Sequence, residues 1–213
     1  MSTLRTIFLT ALAISMGAGC DQVLSPPAQA VVEEGELEVA ETSDDTPPIL
    51  STEVEFWAVR GEAREVQISY EAEPPYDGKC LRFVVPPEAL LRRPDGSIVE
   101  PGDSVQIAIR LLDESRFEFE FDPRGLQFDP AHPARIEIRY SWADLNDDGE
   151  ANADDWALAS ELAIWRQEEP GQAWMKLPST VLEEEREVHA DVNGFTKYAL
   201  ASDRQSMPPT FNE

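Results

Sequence analysis

The sequence predicts an all-β fold, an antiparallel β-sandwich of about nine or ten short strands carrying one calcium-loop insertion. Short segments alternate apolar and polar residues, most cleanly in "RFEFEFD" (Arg116–Asp122), where Phe117, Phe119 and Phe121 share one face. Glycine, proline and asparagine turn signals recur between these segments. No amphipathic helical pattern extends beyond a turn or two at Ala153–Ser160.

In chain order, the first 19 residues have the layout of a secretory signal. Arg5 precedes an apolar run from Thr6 to Met16, too short to span a bilayer, which opens into small residues ending at Cys20. That ending resembles the lipobox of bacterial lipoproteins, in which the cysteine is diacylated and becomes the mature N-terminus. Gly17 departs from the apolar residue usual there. An A-x-A cleavage signal at Ala28–Ala30 is the alternative, placed far from the apolar run and just after Pro26 and Pro27. Residues 20–50 are acidic and proline-rich without aromatics, the composition of a disordered tether. As a flexible coil such a segment holds a domain on the order of 30 Å from its anchor.

The domain is expected over residues 51–202. Glu53–Val59 and Glu65–Glu71 flank "RGEA" and read as a hairpin. "CLRFVV" follows, then a loop punctuated by prolines and glycines over residues 86–104. Val105–Leu112 and Arg116–Asp122 form the next pair, and Arg135–Trp142 is a further strand. "LAIWRQ" and "AWMKL" surround the turn "EEPG", and "EVHADV" and "FTKYALA" surround Asn193-Gly194, a strong short hairpin signal. Residues 203–213 read as a flexible tail.

The segments "CLRFVVPPEAL", "FEFDPRGLQFDPAHPARIEIRY", "LAIWRQEEPGQAWMKLPS" and "VNGFTKYALA" resemble the β-sandwich domain shared by zonula occludens proteins, netrin receptors and ankyrins. The resemblance spans about residues 56 to 201. It implies a module for protein contact with no active site, and it carries over no catalytic residue.

Between Arg135–Trp142 and "LAIWRQ" lies "DLNDDGEANADDW". Counted from Asp144 as position 1, Asn146 falls at 3, Asp148 at 5, Gly149 at 6, Glu150 at 7, Asn152 at 9 and Asp155 at 12. An EF-hand calcium loop needs side-chain oxygens at 1, 3 and 5, a glycine at 6, a carbonyl at 7 and a bidentate carboxylate at 12. Hard oxygen donors in that spacing make Ca²⁺ the expected cofactor. Asn at 9 and Asp at 12 resemble the dockerin form of the loop. Dockerins carry two loops and enter each from a helix, whereas here one loop is entered from a strand, and Ala151 stands where a larger apolar residue is usual. The expectation is one isolated calcium loop, with an affinity of about 10⁻⁴ to 10⁻³ M in an extracellular setting.

Composition bounds the partners. The chain has 42 acids and 17 bases, a net charge of -25, which repels phosphate backbones and argues against nucleic acid. Two cysteines leave Cys80 without a partner if Cys20 is lipidated, and its strand context reads as a buried structural thiol. His132 and His189 are the only histidines, too few for a zinc site or a Ser-His triad. "GDS" (Gly102–Ser104) resembles the nucleophile block of one esterase family, but it precedes a strand and reads as a turn. Of five tryptophans, Trp57, Trp142, Trp165 and Trp174 are expected in the core, and Trp156 is the exposed candidate for a glycan platform. The functional expectation is a non-catalytic binding or structural lipoprotein of the bacterial envelope. It would be held to a membrane through Cys20, with a protein or glycan partner. The alternative is a secreted acidic hydrolase that attacks envelope polymers with a carboxylate pair.

Overall fold

Alternation along the chain sets the strands. A computed structural model describes residues 29–72 and 78–202. In chain order the strands are β1 (Val31–Val32), β2 (Glu41–Thr42), β3 (Glu53–Val59), β4 (Arg64–Ser69), β5 (Lys79–Val85), β6 (Leu90–Arg92), β7 (Ser104–Asp113) and β8 (Arg116–Asp122). They continue as β9 (Gln127–Phe128), β10 (Ala134–Arg139), β11 (Ala143–Asp144), β12 (Leu162–Gln167), β13 (Trp174–Lys176), β14 (Ser179–Leu182), β15 (Glu187–Val192) and β16 (Lys197–Ser202). One helix, α1 (Ala153–Leu158), and a 3-10 turn at Ala159–Glu161 separate β11 from β12.

The first sheet runs β13-β12-β16-β8-β7-β3, with β1 added outside β13 and β2 meeting β8 through the single pair Glu41–Arg116. The second runs β14-β15-β10-β5-β4, and all pairings are antiparallel. The protein is an all-β sandwich, as the alternation predicts. In β8 every second side chain is buried, so its three phenylalanines point at the facing sheet. There Phe121 meets Phe83 edge-on with ring centroids 5.4 Å apart, and within its own sheet it meets Tyr198 of β16 at 5.2 Å. Phe121 is fully buried. Phe121→Ala is expected to cost about 3–5 kcal/mol in urea unfolding, and a loss below about 1 kcal/mol would mean that this contact does not hold the sheets together.

Two expected hairpins are corrected. β3 and β4 do not pair with each other: β3 lies at the edge of the first sheet beside β7, and β4 at the edge of the second beside β5. Asn193-Gly194 likewise joins β15 of the second sheet to β16 of the first. Phe195 is buried between the sheets, against Phe83, Phe121 and Phe128, and this aromatic anchor carries the chain across the core. The Tyr198 hydroxyl donates to the Gly194 carbonyl and pins the crossing.

The expected tether is corrected too. Residues 1–28, including Cys20, and 203–213 lie outside the described residues, but residues 31–50 belong to the sandwich. β1 pairs with β13, Val39 bridges Ala201, β2 pairs with β11, and Ile49 bridges Tyr70 beside β4. Val32 and Leu37 pack with Trp165, Trp174, Ala163, Ala199 and Ala201 in a small apolar cluster distinct from the main core. An acidic segment with few apolar residues still docks when a sheet face offers two tryptophans to cover.

Candidate functional site

The Asp144–Asp155 loop begins where β11 ends and closes into α1. Asp144 takes three backbone N–H groups: Gly149 at 2.7 Å, Asp148 at 3.2 Å and Asn146 at 3.3 Å. The Asn146 side chain accepts from the Asp148 N–H at 3.0 Å and donates to the Asp148 carboxylate at 3.1 Å. Asp148 accepts from the Glu150 N–H at 2.9 Å. The turn needs Gly149, whose φ is 86°. A β-carbon there would also lie only 3.2 Å from an Asp44 carboxylate oxygen.

Asn152 caps α1 by accepting from the Asp154 N–H at 2.8 Å, and Asp155 completes the capping box. Asp155 is fully buried. One of its oxygens accepts from the Leu145 N–H at 2.7 Å and the other from the Asn152 N–H at 2.9 Å. Position 12 thus clasps the loop's two ends, while Asn146, Asp148 and Glu150 face solvent. The donors are all hard oxygens, and the glycine turn and the exit into a helix at position 9 suit calcium. The structure gathers Asp144, Asn146 and Asp148 around one turn, whereas Asp155 is turned to the Leu145 and Asn152 N–H groups, and no three loop carboxylates bring oxygens within 4.8 Å of one another. Asn152 spends its side-chain oxygen on the helix cap.

Residues 41–46 line the loop's flank. Asp144 pairs with Glu41 and Ala143 with Thr42. The Ser43 N–H donates to the Trp142 carbonyl at 2.9 Å, and the Asp44 N–H to the Gly149 carbonyl at 3.0 Å. A cleft of about 230 Å³ between segment and loop is lined by Glu38, Glu41, Asp144 and Asp147, with Arg116 among them.

A second cluster, missed from the sequence, sits on the outer side of the second sheet. Glu137, Glu187 and His189 bring ligand atoms within 4.8 Å of one another. Cations already fill that space. The Lys79 ammonium lies 2.6 Å from Glu187 and 3.7 Å from Glu137, Arg139 lies 2.8 Å from Glu187, and Arg82 lies 3.0 Å from Glu137. Burial pushes the Glu187 carboxyl up, but hydrogen bonds from Lys79, His189 and Arg139 outweigh it and hold the pKa at about 2. This is an ion network with lysine where a metal would stand. The alternation of "RIEIR" and "EVHAD" puts these charges on one face, but nothing local shows that Lys79 comes to meet them.

The remaining expectations divide. Cys80 is buried and free, and burial pushes its thiol up to about 12, as suits a structural residue. Gly102 and Asp103 form a turn, with the Asp103 carboxylate on Arg93 at 2.9 Å and on the Glu100 N–H at 3.1 Å. His132 is exposed beside Asp129. Trp57, expected in the core, is 56% exposed, because its β3 position faces away from the second sheet. Trp156, the expected platform, is partly buried, and the Arg186 guanidinium lies 3.3 Å above its ring. Trp142, Trp156, Arg186, Lys79, Glu184 and Glu185 line a groove of about 740 Å³. No helix among the described residues is long and apolar enough to cross a membrane. Neither a family model nor a curated protein matches the chain.

Proposed function

We infer that the protein is a calcium-binding lipoprotein of the bacterial envelope, anchored through Cys20 and acting as a non-catalytic binding or structural module. The observation that carries this reading is the loop itself. Its oxygens and its one glycine stand at calcium spacing, and its last carboxylate joins both loop ends to a helix cap. Bound calcium would be held by Asp144, Asn146, Asp148, the Glu150 carbonyl, Asn152 and Asp155. It would act as a staple, because a ligand of the folded state stabilises that state by mass action. Calorimetric titration tests this directly, with one site of about 10⁻⁴ to 10⁻³ M expected. Absence of binding at millimolar calcium would overturn it.

The resemblance to the β-sandwich of zonula occludens proteins, netrin receptors and ankyrins supports a contact module. The alternative, a hydrolase with a carboxylate pair, is less well supported. Glu137 and Glu187 converge, but Lys79, Arg82 and Arg139 neutralise them, and the low pKa of Glu187 suits an ion pair rather than a general acid. With residues 31–46 docked on the sandwich, the domain would ride closer to the membrane than a free tether over residues 20–50 would hold it. Cys20→Ser is expected to move the protein from the membrane fraction to the soluble fraction, and continued sedimentation with membranes would count against the anchor.

A further inference from the structure

We propose that β3 is a docking edge for a second copy of this chain, which pairs with it antiparallel about a two-fold axis at Phe56. The inference stands on the fold and is independent of calcium.

Sheet edges invite pairing, and a protein that stays alone covers or shortens them. The other edges of the sandwich are so treated. β1 is added outside β13, and beside β4 the Leu50 N–H bonds the Ser69 carbonyl while Ile49 bridges Tyr70. β14 has four residues and starts directly after Pro178. β3 has seven residues and carries the exposed Trp57, and among the described residues it pairs only with β7.

The hydrogen bonds of β3 show which of its backbone groups are open. The Thr52 carbonyl accepts from the Leu111 N–H at 2.8 Å, and the Arg60 N–H and carbonyl bond Asp103 and Gly102. Alternation then turns the backbone groups of Val54, Phe56 and Ala58 toward β7 and those of Glu53, Glu55, Trp57 and Val59 to the open side. The Ser51 hydroxyl engages both groups of Glu53, and the Glu62 N–H takes the Val59 carbonyl. Among the described residues, the N–H and carbonyl of Glu55 and of Trp57 are left without partners.

These two residues complement each other across a two-fold axis. In antiparallel pairing centred on Phe56, Glu55 faces Trp57 of the second copy and Trp57 faces its Glu55. Each such pair exchanges both N–H···O=C bonds. This register uses every open pair of groups and none that is occupied. Centring on Glu55 would set that carboxylate against its own copy, and centring on Trp57 would need the occupied Val59 carbonyl. On the inner side, Phe56 would meet its own copy and Val54 would meet Ala58, covering the partly buried Val54 and Phe56.

Charge agrees with the register. β3 carries its acids, Glu53 and Glu55, in its first half and is followed by Arg60. Antiparallel pairing therefore lays the acidic half against the half that ends in a base. Glu53 is also held by Arg110 at 2.6 Å. The net charge of -25 opposes association, but at physiological salt each charge acts over only about 8 Å. A seam one strand wide makes a weak, concentration-dependent dimer.

Sedimentation equilibrium of the full chain tests this, with a monomer–dimer equilibrium expected below about 1 mM. Trp57→Glu puts a carboxylate opposite Glu55 at both ends of the seam and is expected to weaken the dimer about tenfold or more. Trp57→Lys puts an ammonium there and is expected to keep the dimer within about threefold of the parent. Trp57 is exposed, so both variants are expected to fold, which circular dichroism checks. A parent that stays monomeric up to about 1 mM would overturn the proposal and leave the edge to a foreign strand. A dimer unchanged in Trp57→Glu would sit elsewhere on the chain and overturn it as well. Equal weakening in both variants would overturn the register, since burial of the tryptophan alone would then explain the contact.

Discussion

Calcium is expected to raise the melting temperature of the full chain by roughly 3 to 10 °C at about 10 mM, and EDTA to reverse the gain. The size follows from mass action. A site of about 10⁻⁴ to 10⁻³ M contributes about 1.4 to 2.7 kcal/mol at that concentration, and a chain of this length gains roughly 2 to 4 °C per kcal/mol. Two substitutions in the loop are expected to behave differently. Asp148 is exposed, so Asp148→Ala should remove the calcium response and leave the melt in EDTA within about 0.5 kcal/mol of the parent. Asp155 is buried and satisfies the Leu145 and Asn152 N–H groups. Asp155→Ala should remove the calcium response and also cost about 2 to 4 kcal/mol in EDTA, since it orphans two donors and a helix cap. A melt indifferent to millimolar calcium would sink the loop reading. Equal behaviour of the two variants in EDTA would sink the structural role of Asp155.

The second large effect belongs to Glu187. Glu187→Gln removes from a buried site a carboxylate shared by Lys79, Arg139 and His189, and its cost in urea unfolding at neutral pH is expected to be about 3 to 5 kcal/mol. A loss below about 1 kcal/mol would show that water, not the network, solvates these groups. The same residue sets an acid dependence. Its folded pKa of about 2 lies below the ordinary 4.5, so the unfolded chain takes up the proton first as pH falls. The stabilisation is complete above about pH 4.5, worth at most about 3 kcal/mol, and is lost as pH drops towards 2. Stability measured from pH 6 to pH 2 should fall over that window in the parent and fall less in Glu187→Gln. Parallel curves for the two would place the acid sensitivity elsewhere.

Both effects reside in residues of different legibility. The turns of the Asp144–Asp155 loop could be read directly, because its carboxylates, asparagines and glycine come from one short stretch. The Glu187 network could not, because its members come from β5, β10 and β15, and only strand pairing brings them together. His189 and Glu137 are cross-strand partners, as are Arg139 and Glu187, and no spacing along the chain encodes those registers.

By itself the sequence determined the strands, the acidic charge and the Asp- and Asn-rich turns of the Asp144–Asp155 loop, since alternation and loop chemistry act over a few residues. The tertiary structure decided which strands are neighbours. "RGEA" and Asn193-Gly194 look like hairpin turns, yet both carry the chain between sheets; at Asn193-Gly194, burying Phe195 among three aromatic rings outweighs the local turn preference. It also decided the fate of residues 31–50. Their composition describes a free tether, but composition cannot count the apolar surface that a finished sheet leaves open. Trp165 and Trp174 provide that surface only once β12 and β13 have paired, and Val32 and Leu37 then cover it.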